Sequence, residues 1–282
     1  MREVAVQEQD DVRVRRRLRW WREVIYILVV YLVYSRVRNG FGSAGGPTGH
    51  ANGIAYGHAK AIISMEKAIG LFVEPPLQHW YLRLPAHGFV AFWNFYYGSI
   101  HFIVTAFALV WLFRRNPARY PLWRNTLACT TLVALIGFAS FSLMPPRLLP
   151  ADVTEYGPPT AEHANDYGFV DTLAEYPAIW SFDKGEFKKI SNQYAAMPSL
   201  HIGWSIWVVG VLYPMVRRWW LKVLVVLHPM LTLFCIMVTA NHYWLDGVGG
   251  AIGFAAGLFL AVRMTRFFER RHSPVADQLA PT

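Results

Sequence analysis

The sequence predicts an all-α integral membrane protein: six transmembrane helices, with an interfacial helix between spans 1 and 2. Three observations carry this. Of the 282 residues, 54% are hydrophobic and only 16% charged, against ~25% charged in soluble domains. Six apolar runs approach the ~20 residues needed to cross a bilayer. The basic residues cluster at alternate connections between those runs.

The runs fall at about 21–37, 91–113, 122–144, 200–216, 220–240 and 244–263. The first follows a basic flank, Arg13 to Arg19, and precedes SAGG at 43–46, so a signal peptide is the alternative to an uncleaved first helix. The expected organisation is a basic tail over 1–19, a six-helix membrane domain over 20–270 and a C-terminal tail over 271–282. Cys129 and Cys235 both fall in apolar runs, which argues against a disulfide framework.

The basic segments give the orientation. Arg13 to Arg22, RRNPARYPLWR (114–124), RRWWLK (217–222) and RMTRFFERR (263–271) all fall on one side of six crossings. The positive-inside rule makes that side cytoplasmic, with both termini. The net charge of +9 is thereby explained without a nucleic-acid partner. The plasma membrane is the expected location and the bilayer the expected environment.

Two long connections, 38–90 and 145–195, then lie outside. In the first, Ile62, Ile63, Met65, Ile69 and Phe72 mark an interfacial or re-entrant helix too polar to span. The second has six prolines, and eight acids between Asp152 and Glu186. Loops this long are usually functional or disordered.

The chemistry concentrates at AAMPSLH (195–201) and VTANHYWLDGVGG (238–250). Forty-one residues separate His201 from His242, about two crossings of ~20, so both lie at the outer face. Asp246 is one helical turn beyond His242 and can hold one ring nitrogen while the other exchanges a proton. His201 then reads as a nucleophile. Ser199 and the free N–H groups of a helix start offer an anion site, and Arg147 in MPPRLLP adds positive charge. His201, His242 and Asp246 would also suit zinc; the P-S-x-H pattern favours an anion, and neither metal nor other cofactor is expected. Gly249, Gly253 and Gly257 read as a helix-packing face, and Trp219, Trp220 and Trp244 as interfacial anchors.

AAMPSLH with NHYWLD resembles the type 2 phosphatidic acid phosphatase superfamily, and within it most the inositol phosphorylceramide synthase branch. GFVDTLAEYPAIWSFDKGEFKKISNQYAAMPSLH resembles bacterial members of that branch. The likeness covers roughly 56–265. It implies a six-helix core, an outward-facing site, a phosphohistidine intermediate and no required metal. His201 matches the nucleophile, His242 the general acid/base, Asp246 its partner, Ser199 a phosphate contact and Arg147 the arginine of the first motif. Ser140 and Ile236 stand where the superfamily has a lysine and an arginine. Asn241, or Asn94 and His101 in FWNFYYGSIHF, are the candidate substitutes.

The expected activity moves a phosphoryl or phosphoalcohol group, phosphoinositol among them, from a membrane phospholipid or polyprenyl-linked donor. Hydrolysis of a lipid phosphate is the rival. A lipid-binding or transport protein is the reading from another class; no half of the chain repeats the other, which counts against it.

Overall fold

In a computed structural model, residues 18–40, 50–149, 167–176, 194 and 196–271 are described. The expected basic tail (mostly 1–17), the Gly-rich stretch at 41–49, most of the long outer loop and the C-terminal tail beyond 271 lie outside them.

The described chain is helical throughout. We label the helices α1 (Trp20–Gly40), α2 (His50–Ala68), α3 (Glu74–Leu82), α4 (Val90–Phe95), α5 (His101–Arg115), α6 (Tyr120–Ser140), α7 (Thr172–Glu175), α8 (Leu200–Leu212), α9 (Trp219–Val238) and α10 (Trp244–Arg271). Tyr96–Ile100 is a π-helical turn that joins α4 to α5.

Four described segments are long and apolar enough to cross a membrane: Pro85–Arg115, Tyr120–Ser140, Trp219–Val238 and Trp244–Phe268. The other two expected runs form shorter apolar stretches among the described residues. Helix α8 stops after 13 residues, where the chain turns at Tyr213–Met215; at 1.5 Å per residue it is about 20 Å long, short of a ~30 Å hydrocarbon core. Helix α1 carries Arg22, Glu23, Arg36 and Arg38 at its two ends, which leaves a shorter apolar stretch between them.

The basic connections gather at one end of the bundle. Arg124 of α6 pairs with Glu23 of α1 at 2.6 Å, and Arg119 donates to the carbonyl of Gly210 near the end of α8 at 3.3 Å. Between them lies a core of Leu112, Tyr120, Trp207, Val208 and Val211. The starts of α8 and α10 are at the opposite end.

Glycines bring those two starts together. A β-carbon at Gly257 would meet the backbone and hydroxyl of Thr130, so α10 lies directly on α6. One at Gly249 would sit 3.3 Å from the Pro198 ring, and one at Gly250 would strike the Ser199 carbonyl. The expected packing face is therefore where α10 closes on α6 and on the start of α8.

The helix expected to be interfacial or re-entrant packs against the bundle. In α2, Ala55, Ala59, Ile62, Ile63 and Glu66 form a buried face packed with Leu143, Met144, Phe169 and Tyr243, while Met65 and Ile69 face outward. With α3 and residues 167–176 it roofs the end of the bundle that holds the starts of α8 and α10. Gln78 fastens that roof: its amide donates to the carbonyls of Val170 and Val238, both at 3.0 Å, and accepts from the Val170 N–H at 2.9 Å. Trp219 is 76% exposed, as an anchor would be, whereas the Trp244 indole is tied to the Leu71 carbonyl at 2.8 Å.

Candidate active site

The second histidine motif is built at the turn from α9 into α10. Helix α9 ends at Val238, and Ala240 turns the chain with a positive φ of 50°. His242 then lies one turn before Asp246. Its Nδ1 is 3.1 Å from Oδ2 of Asp246, and the same oxygen accepts the Tyr243 N–H at 3.1 Å. Asp246 is fully buried. A carboxylate on Nδ1 fixes a proton there and leaves Nε2 to exchange one. Nε2 of His242 has no hydrogen-bond partner among the described residues.

His201 stands at the start of α8, just after Ser199 at the N-cap. The two helix starts touch through the backbone, since the Ser199 N–H donates to the Asp246 carbonyl at 2.9 Å. The rings of His201 and His242 are 5.5 Å apart at 63°. Both expected histidines thus lie at one site with the carboxylate behind one of them. Ser199 is fully buried, and its Oγ meets no partner among the described residues.

Arg147 reaches this site through Asn241. Its Nε donates to Asn241 Oδ1 at 3.0 Å, and its backbone N–H donates to the Ala240 carbonyl at 2.9 Å. The Asn241 amide donates in turn to Thr239 Oγ1 at 2.8 Å. Arg147 is also paired with Asp171 at 3.4 Å, and Asp171 caps α7 by accepting from the Leu173 and Ala174 N–H groups. Two of the three expected phosphate contacts, Arg147 and Asn241, are therefore linked, with part of the arginine charge already balanced.

The other expected pocket residues separate. His101 is beside His201, its ring 4.8 Å from that of His201 and stacked on Trp204. Asn94 is elsewhere. Its amide donates to the Thr172 and Tyr176 carbonyls at 2.8 Å, and its Oδ1 accepts from the Thr172 hydroxyl at 3.1 Å. Asn94 holds the 167–176 segment in place. At the two positions lacking the superfamily's cations, Ser140 is exposed and hydrogen-bonds the Ile136 carbonyl, while Ile236 is fully buried in apolar packing.

Sequence reasoning missed Tyr97. Its ring stacks on His201 at 4.2 Å and 19°, and lies 6.1 Å from His242. It sits in the π-helical turn, where the His101 N–H bonds to the Tyr96 carbonyl. That one-residue widening lets Tyr97 and His101 both reach His201; such turns recur at functional sites, but no residue pattern announces one. Glu66 and Glu74, fully buried beside the start of α10, were also missed. Among the described residues no group of three His, Cys, Asp or Glu side chains is placed to hold a metal ion.

Comparison with known families matches residues 60–260 to the PAP2 superfamily. The chain belongs to that superfamily, whose members are typically lipid phosphatases and phosphotransferases. No curated protein and no solved structure matches it.

Proposed function

We propose that this protein is a lipid phosphotransferase that works through a phosphohistidine on His201. The observation that supports it most is the His242–Asp246 pair set against the ring of His201. A nitrogen of His201 attacks phosphorus of a bound lipid phosphate ester. The bond to the leaving oxygen breaks, and His242 gives that oxygen a proton. An incoming alcohol then gives its proton to His242 and attacks phosphorus, and the phosphorus–nitrogen bond breaks. Water in place of the alcohol gives hydrolysis by the same steps.

Two features favour transfer from a phosphodiester, in the manner of the inositol phosphorylceramide synthase branch. A dianionic monoester needs more positive charge than a monoanionic diester. Here Arg147 is shared with Asp171, and Ser140 and Ile236 supply no cation. The clustered basic ends, by the positive-inside rule, support a site toward the outer leaflet. With α8 only 13 residues long, His201 lies about 20 Å from that basic end, within the bilayer thickness.

Purified protein in mixed micelles tests this reading. With a labelled phosphodiester lipid and an alcohol, the labelled head group should move to the alcohol. Faster release of inorganic phosphate from a phosphomonoester, with no alcohol product, would establish the phosphatase instead. For orientation, Leu71→Cys should react with an impermeant maleimide in intact cells, and Arg115→Cys only after lysis; the native cysteines are buried.

A further inference from the structure

The residue before α10 is Tyr243, whose phenol donates to the Met144 carbonyl at 3.3 Å and so does not cap the first N–H groups of the helix. Such orphan donors need acceptors. Here they come from two other helices. Glu74, which opens α3, accepts the Trp244 N–H at 2.9 Å through Oε1. Glu66, in the last turns of α2, accepts the Leu245 N–H at 3.4 Å through Oε1. The next residue along is Asp246.

We propose that Glu66 and Glu74 are positioning residues for the acid–base pair: they grip the start of α10 from the roof and so fix where Asp246 meets His242. This rests on the reading of His242 as the proton-transfer group. An acid–base pair misplaced by ~1 Å loses rate by ~10²-fold, and both glutamates hold the backbone within two residues of Asp246.

Burial and like charge favour a protonated carboxyl here. Three fully buried carboxylates meet here: Glu66, Glu74 and Asp246. The remaining oxygens of the two glutamates find no hydrogen-bond partner among the described residues. Burial first, and the Glu74 charge second, push Glu66 up to about 9; burial raises Glu74 as well. The other titratable groups facing them are Asp246 and the Tyr243 phenol, itself raised by burial and by these acids, with Tyr167 beyond it. The neighbouring Lys67 turns away, onto the Phe72 ring. Glu66 therefore holds its proton at neutral pH and loses it in the alkaline range.

The test compares E74A, E74Q and E66Q by turnover and by the ring resonances of 15N-histidine-labelled protein in detergent. E74A should lower kcat at least about tenfold with KM within about threefold, and should shift the His242 resonances. E74Q should restore both, because its amide oxygen accepts the Trp244 N–H as the carboxylate does. Wild-type kcat should fall at alkaline pH, and E66Q should lose that limb. E74A with wild-type kcat and wild-type His242 resonances would overturn the proposal, as would E74Q as impaired as E74A. If E74A does not fold, an alkaline limb unchanged in E66Q overturns it. Wild-type protein without turnover, whose His242 resonances still shift in E74A, would leave the positioning standing and remove the transferase reading.

Discussion

Gly250 of α10 lies directly against the carbonyl of Ser199, so closely that a single β-carbon would strike it. The contact matters because Ser199 caps the helix that carries His201, while Gly250 is one turn beyond Asp246. The missing side chain lets two histidines from distant parts of the chain face each other.

Gly250→Ala should therefore damage both packing and catalysis. Overpacking of this kind costs about 1–3 kcal/mol, read as a lower unfolding midpoint in detergent, with a fall in turnover in the protein that remains folded. Gly53, whose β-carbon would meet nothing within 4 Å, is the control position.

His242→Ala and Asp246→Asn separate the proton-transfer group from its orienter. His242→Ala should lose at least ~10²-fold in turnover. Asp246→Asn leaves a neutral amide in a fully buried place and should lose turnover by losing the bond that fixes the imidazole tautomer. Both are read in steady-state assays on folded protein; normal turnover in either contradicts the assigned roles.

Much of this site was legible in the sequence because it rests on local spacing. His242 and Asp246 are one turn apart wherever a helix runs through them, and Pro198-Ser199 before an apolar run marks a helix start. The glycine repeat announced close packing for the same reason. What was not legible depends on contacts between distant segments. Tyr97 reaches His201 only because the backbone widens by one residue. Asn94 looked like a pocket residue on its helix, but its amide is used by Thr172 and Tyr176. Glu66 sat in a helix read as interfacial or re-entrant and was not singled out; its contact with the start of α10 comes from a residue 179 positions away. The end of α8 was not legible because Val216 is apolar and extends the run past the turn at 213–215.

Stability should depend on pH through Glu66. Its folded value, about 9, lies above its ordinary 4.5. A raised value means that the folded state holds the proton more tightly. The contribution is full below 4.5 and is lost as pH rises to about 9. The unfolding midpoint of the wild type should fall across that window and level off above it. Glu66→Gln should fall less, as measured by thermal unfolding at pH 5, 7 and 9; parallel curves for the two proteins contradict the raised Glu66 value.

Arg147 should matter for binding more than for the chemical step. Arg147→Gln should raise KM for a lipid phosphate about tenfold, with a smaller change in kcat. Asp171→Asn removes the competing carboxylate and should improve the use of a dianionic monoester relative to a diester. Substrate-velocity curves on both substrates check this; an unchanged preference in Asp171→Asn contradicts the shared-charge reading.

The covalent intermediate can be trapped directly. Purified wild-type protein incubated briefly with a lipid carrying a 32P-labelled phosphate group, then denatured, should hold label that acid releases and base does not, as expected of a phosphohistidine. His201→Ala should hold none, while His242→Ala should hold a little when the leaving group is good. Label of the same stability on His201→Ala, or turnover in the wild type with no label under any quench, would contradict a phosphohistidine at His201.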